Sequence, residues 1–129
     1  MDHDLLFKIE RYLLKKGHIG EHLESLLGHN TDIQDIEKIA NVSISVRDSL
    51  DDFKDALRQY AKLIMKKAMA EMGEPDGKLS EKYSSEMTDS LIIHVIATYK
   101  RSPEFLIAER KVISRMYKLA EAVTRFREK

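Results

Sequence analysis

The first residues with a spacing suited to chemistry are two histidines near the N-terminus. His18, Glu21 and His22 match H-x-x-E-H, in which two histidines one helical turn apart bind zinc and the glutamate acts as a base on bound water. Gly20 lies inside the helix that would carry these ligands, and Gly17 directly precedes it. Five-residue matches are common by chance, so we expect a solvated turn with two ordinary histidines and no metal or other cofactor.

Other catalytic patterns are missing from the sequence. The chain has no Cys, which excludes thiolate clusters, zinc fingers and a cysteine nucleophile. No glycine-rich phosphate loop occurs, and no acid–base pair stands near a plausible nucleophile. His94 lies in the apolar run 91–97, where we expect a core or interface histidine with one hydrogen-bond partner. The sequence therefore indicates a protein that is not an enzyme.

Basic residues form two clusters that suit binding of a phosphate backbone. The first comprises Arg58, Lys62, Lys66 and Lys67, and the second comprises Lys100, Arg101, Arg110, Lys111, Arg115, Lys118, Arg125 and Arg127. Lysines and arginines on one helix face neutralise phosphates and release counterions without reading bases. The alternative is that they solvate the surface and favour a helix C-terminus.

From these clusters we predict a specific set of DNA-binding residues: Arg58, Lys62, Lys66, Lys67, Lys100, Arg101, Lys111, Arg115 and Lys118. Tyrosines at positions 60, 83, 99 and 117 offer possible stacking faces for bases. We expect Tyr60 to be a core residue instead, because it falls on an apolar seam.

The net charge of zero conceals an uneven distribution of charge. The 129 residues include 22 basic and 22 acidic side chains. Residues 31–57 carry three basic and seven acidic side chains, whereas residues 100–129 carry nine basic and four acidic ones. Nucleic-acid binding should therefore be local and salt-sensitive. The apolar runs are too short to span a bilayer and the N-terminus is acidic, so we expect no membrane association and a cytoplasmic location.

Helix-period apolar residues predict the elements that position these clusters. We expect helices over about 4–16, 21–27, 31–73, 80–99 and from 103 to near the C-terminus, with no strand. Thr31 and Gln34 have capping-box spacing, Gly28 suits a helix stop, and Ser102 with Pro103 suits a helix start. The Gly-Glu-Pro-Asp-Gly segment 73–77 predicts a turn.

Two of these helices carry heptad patterns. From Val46 to Ile64 the apolar spacing alternates four and three, and Phe105, Val112, Leu119 and Phe126 recur every seven residues. The β-branched run 42–46 is a candidate break. We predict an all-α, elongated helical bundle with a long central helix and coiled-coil-like heptads, forming a homo-oligomer. Residues 1–30 would be an N-terminal helical segment and 31–129 the helical core of a single domain.

The order of these features over about residues 33–127 resembles the UvsY-type recombination mediators of tailed phages. The corresponding features are a long helix ending in Lys62, Lys66 and Lys67, the turn 73–77, Tyr83, the triplet Ser85-Glu86-Met87, the break 101–103 and a final helix. The resemblance implies a non-enzymatic oligomer that binds single-stranded DNA and helps load a recombinase onto strands covered by single-strand-binding protein. DNA contacts would carry over to Lys66 and Lys67, with Lys62 one turn earlier. The location would be the host cytoplasm if a phage encodes the chain.

The same heptads also fit a second class of function. A helical protein-interaction module or inhibitor would use them without binding nucleic acid. Its acidic stretch, with Asp48, Asp51, Asp52 and Asp55, would then mimic DNA phosphates. Absence of binding to a single strand at modest salt would favour this alternative.

Overall fold

The computed structural model describes residues 3–15, 18–28, 31–72 and 85–128. Within these ranges the chain forms helices and no strand, which confirms the all-α prediction. The helices are α1 (His3–Lys15), α2 (His18–Leu27), α3 (Ile33–Ala40), α4 (Ile44–Met72), α5 (Ser85–Tyr99) and α6 (Pro103–Arg127). The turn expected at 73–77, together with Gly17 and Tyr83, lies outside the described residues.

Helices α1 and α2 pack against each other, and two glycines shape this pair. A Cβ at Gly20 would collide with the backbone carbonyl of Leu14, so glycine there permits close approach of the helices. Gly28 has φ of +96° and its N–H donates to the carbonyl of Glu24 at 2.7 Å, which ends α2 as predicted. Gly20 thus serves helix packing inside the H-x-x-E-H match.

The prediction of one uninterrupted helix from residue 31 is wrong. Helix α3 ends at Ala40 and α4 begins at Ile44, so the break falls at the start of the β-branched run. The hydroxyl of Ser43 accepts a hydrogen bond from the N–H of Val46 (3.3 Å), and Arg47 Nε donates to the carbonyl of Ala40 (3.1 Å). Ser43 thus caps the start of α4, and Arg47 satisfies a carbonyl at the end of α3. Both contacts stabilise the break.

Helix α3 folds back along α4 instead of extending it. Lys54 Nζ donates to Glu37 Oε1 at 3.0 Å, across 17 positions of sequence. Ile36 of α3 is fully buried. The capping box that starts α3 pairs Asp32 with Asp35, one residue beyond the predicted pair of Thr31 and Gln34.

The antiparallel pair α4 and α6 builds the centre of the core. Tyr60 contacts Phe105 edge-to-face with ring centroids 5.9 Å apart, and Asp52 lies opposite Arg115. The heptad residues of α4 are all buried: Val46, Leu50, Phe53, Leu57, Tyr60 and Ile64. Those of α6 are buried as far as Val123. The heptad stripes of α4 and α6 therefore cover each other within one chain.

Helix α5 packs on the C-terminal half of α4, and α6 then continues along α4 in the same direction. Glu71 contacts His94 and Lys67 contacts Tyr99, so α5 also runs antiparallel to α4. Ser102 accepts a hydrogen bond from the N–H of Phe105 and Pro103 occupies the first turn of α6, as predicted.

The end of α6 holds the connection between α2 and α3. Arg127 donates to Thr31 Oγ1 at 2.8 Å and to the carbonyl of Leu27 at 3.4 Å. Thr31 Oγ1 in turn donates to the same carbonyl at 3.1 Å. Over the described ranges, none of the helices combines the length and the apolar character that crossing a bilayer requires.

Candidate nucleic-acid interface

The two basic clusters predicted from the sequence occupy different surroundings. Helix α4 carries the first cluster on the part of its length that α1 and α5 flank, and α6 carries most of the second. Arg58 and Arg115 face acidic partners on neighbouring helices.

Arg58 is engaged in an ion pair between helices. Its Nε donates to Glu10 Oε1 of α1 at 3.0 Å. The side chain of Glu10 is only 19 % exposed, whereas that of Arg58 is 59 % exposed. The predicted role of Arg58 in DNA binding would compete with this pair.

Lys67 links the first cluster to the turn between α5 and α6. Its Nζ lies 5.1 Å from the ring centroid of Tyr99, within the range of a cation–π contact. Lys100 and Arg101 follow Tyr99 directly in the chain and are exposed. The structure therefore brings the end of α4 and the start of the second cluster together.

We define the basic end as five residues: Lys62, Lys66, Lys67, Lys100 and Arg101. Lys62 and Lys66 are exposed and four positions apart on α4, so they share a face. Within the part of the chain that the structure describes, none of the five forms an ion pair with a carboxylate. Their charges are therefore available to a ligand such as phosphate.

The stripe formed by Lys111, Arg115 and Lys118 lies elsewhere. Arg115 Nη1 is 3.8 Å from Asp52 Oδ2, which places the stripe beside the acidic half of α4. Lys118 lies 13 residues beyond Phe105, or about 20 Å further along α6 at 1.5 Å per residue. The structure does not join this stripe to the basic end.

A polar network that the sequence did not predict lies beside the basic end. Glu71 Oε2 is 3.0 Å from His94 Nε2, and Glu71 Oε1 accepts a hydrogen bond from the Tyr99 hydroxyl at 3.2 Å. His94 has the expected side-chain partner. Its side chain is 61 % exposed, so the core position is wrong and the expected alternative, an interface position, stays a prediction. The apolar run around His94 is only partly buried, since Ile92 and Val95 are the members of that run that are fully buried.

The described tyrosines offer little free stacking surface at this end. Tyr60 is buried as expected; burial, then the charge of Glu109 and a hydrogen bond to it, raise its pKa. Tyr99 stacks on Phe105 with centroids 5.7 Å apart and carries Lys67 near its ring. Desolvation, followed by the hydrogen bond to Glu71 and its charge, raises the pKa of Tyr99. Tyr117, on α6, is half exposed.

The histidine motif lies on α2 and not in the solvated turn expected from the sequence. His22 packs edge-on against Tyr117 with ring centroids 6.3 Å apart, and the side chain of His18 lies outside the described residues. Among the described side chains, no three of the types His, Cys, Asp or Glu lie together as metal ligands would. The contact of His22 is thus one of packing between α2 and α6.

Similarity to known proteins gives no independent indication of function. The resemblance to UvsY-type mediators rests on the order of features in the chain itself. Neither the family models, nor the curated proteins, nor the solved structures with which the chain was compared match it.

Proposed function

We propose that this chain is a non-enzymatic accessory protein of homologous recombination that binds single-stranded DNA through the basic end. The observation that carries the proposal is the meeting of Lys67 with the turn bearing Lys100 and Arg101. Five positive side chains without a carboxylate partner in the described structure give a local phosphate-binding surface on a chain of zero net charge. Neutralised phosphates release counterions, so the binding energy needs no base recognition.

The protein partners of this proposal come from the resemblance to UvsY-type mediators. A protein that holds single strands would help a recombinase replace the single-strand-binding protein on them. We propose that the chain acts as a homo-oligomer, because linked copies would add several weak sites along one strand. Since the heptad stripes are buried within the chain, the contacts between copies would use other apolar residues, among which Val42 and Ile44 are the most exposed.

Two substitutions in the basic end test the proposal. We expect Lys66→Ala with Lys67→Ala to weaken binding of a labelled single-stranded oligonucleotide by about tenfold or more, since two phosphate contacts are lost. Lys66 is exposed and Lys67 half-buried, so the fold should survive the change. Fluorescence anisotropy measures the affinity, and circular dichroism verifies the helical content.

A matched control removes the same number of lysines from another surface. Lys38 is exposed on α3, and Lys54 pairs with Glu37 on the acidic half of α4. Lys38→Ala with Lys54→Ala should leave the affinity within about twofold of wild type, because exposed pairs contribute little. Equal loss in both double variants, or none in either, would contradict the assignment of the site.

The alternative function is a protein-interaction module with no affinity for nucleic acid. It is favoured by one observation: Asp48, Asp51, Asp52 and Asp55 are all exposed on α4. Carboxylates spaced along one helix would present negative charge to a basic partner protein. The same anisotropy measurement decides between the two, because this alternative predicts no binding of the single strand by the wild type.

A further inference from the structure

His94 lies at the basic end without belonging to either predicted basic cluster. Its imidazole is exposed and 3.0 Å from Glu71, which also accepts the hydrogen bond of Tyr99. Tyr99 directly precedes Lys100 and carries Lys67 near its ring. His94 is therefore linked through Glu71 and Tyr99 to two cations of the basic end, Lys67 and Lys100.

Histidine is the side chain whose charge changes between about pH 5 and pH 8. The charged or titratable residues on the segments around His94 are Lys67 and Glu71 of α4, Asp89, Tyr99, Lys100 and Arg101 of α5 and its turn, and Glu104 of α6. Of the acids, Glu71 is the one in contact with His94. Asp89 is on the same helix, more than one turn away, and Glu104 lies in the first turn of α6.

The charge of this network depends on the proton of His94. With neutral His94, Glu71 adds a negative charge beside Lys67 and opposes the approach of phosphate. With protonated His94, the His94–Glu71 pair becomes neutral, so the negative charge beside the basic end is removed. Coulomb attraction to a phosphate a few ångströms away rises accordingly.

We propose that His94 is a proton-dependent positioning residue of the DNA-binding site, which tightens binding of single-stranded DNA when its imidazole gains a proton. This inference rests on the proposed function. It assigns the sensitivity to pH to one side chain, acting through Glu71 on the cations at the end of α4 and in the α5–α6 turn. The ligand is the phosphate backbone of a single strand.

The test compares wild type with His94→Gln by anisotropy of a labelled oligothymidylate at about pH 5.5 and about pH 8. Glutamine keeps a donor for Glu71 but takes up no proton. We expect wild type to bind about fivefold more tightly at the lower pH, the factor that one unit charge at close range gives in water. The variant should show little of this gain and match wild type near pH 8.

A second variant and a control separate charge from structure. His94→Lys carries a permanent charge and should bind at about pH 8 as tightly as wild type does at about pH 5.5. His22→Gln removes another exposed histidine, on α2, and should keep the dependence on pH of wild type. Circular dichroism at both pH values verifies that each variant is folded.

The outcomes distinguish this inference from the proposed function. Binding of equal strength at both pH values, or a full gain at low pH in His94→Gln, overturns the role of His94 alone. If His22→Gln also fails to bind more tightly at low pH, the role of His94 is overturned. The dependence on pH would then come from the total charge of the protein. Absence of binding by wild type at both pH values overturns the proposed function and this inference together.

Discussion

At the scale of single residues, a basic side chain in contact with a carboxylate is less available to a phosphate than one without such a contact. Arg58 and Arg115 were predicted to bind DNA together with the other basic residues, yet each faces a carboxylate of another helix. Their partners are 48 and 63 positions away in sequence, so no local pattern reveals them. The types and helical spacing of Lys62 and Lys66 were sufficient to predict their shared exposed face.

The buried hydroxyl of Tyr60 gives a prediction about stability in alkaline solution. Its pKa is raised in the folded state, so the neutral form is favoured by folding. The contribution is complete below the ordinary value near 10 and is lost as the pH rises above it, by about 1.4 kcal/mol per pH unit. We expect the free energy of unfolding, from urea denaturation, to fall between about pH 10 and about pH 12.

Tyr60→Phe is the control for this prediction, because it keeps the ring against Phe105 and removes the ionisable group. The free energy of unfolding of the variant should fall less steeply over the same interval. Parallel curves for wild type and variant would show that other groups cause the loss, and would contradict the burial of the hydroxyl beside Glu109.

At the scale of helices, local sequence signals predicted where a helix begins or ends better than they predicted whether a long helix is uninterrupted. Gly28, Ser102 and Pro103 mark ends that require only a few neighbouring residues, and the structure confirms them. The break between α3 and α4 was only a candidate, because it depends on Arg47 reaching back seven residues to Ala40 and on α3 packing against α4. Those contacts are tertiary and leave no regular sequence pattern.

Substitutions at the start of α3 distinguish the capping box of the structure, Asp32 with Asp35, from the one that the sequence predicted, Thr31 with Gln34. Asp32 and Asp35 make the reciprocal bonds, whereas Gln34 is exposed. We expect Asp32→Ala to lower the free energy of unfolding by about 1 kcal/mol, the usual effect of losing an N-cap. Gln34→Ala should change it by less than about 0.5 kcal/mol. Urea denaturation measures both, and a larger loss for Gln34→Ala would contradict the cap at Asp32.

At the scale of the whole molecule, acidic and basic side chains are separated along the length of α4. Helix α4 has 29 residues and is about 44 Å long, with four exposed aspartates between positions 48 and 55 and the basic end beyond Tyr60. The sequence predicted this separation from charge counts alone. It did not predict that α5 brings Lys100 and Arg101 to the same end, because that follows from how α5 packs on α4.

The most direct test of DNA binding by the basic end is a salt titration of wild-type affinity for a labelled single strand near pH 8. The basic end has five cations without a carboxylate partner in the described part of the chain. On a plot of the logarithm of the association constant against the logarithm of the salt concentration, they predict a slope of about −3.5 for each protomer in contact with DNA. Sedimentation of the same samples gives the number of protomers. A slope near zero, or no binding at about 50 mM salt, would contradict the account.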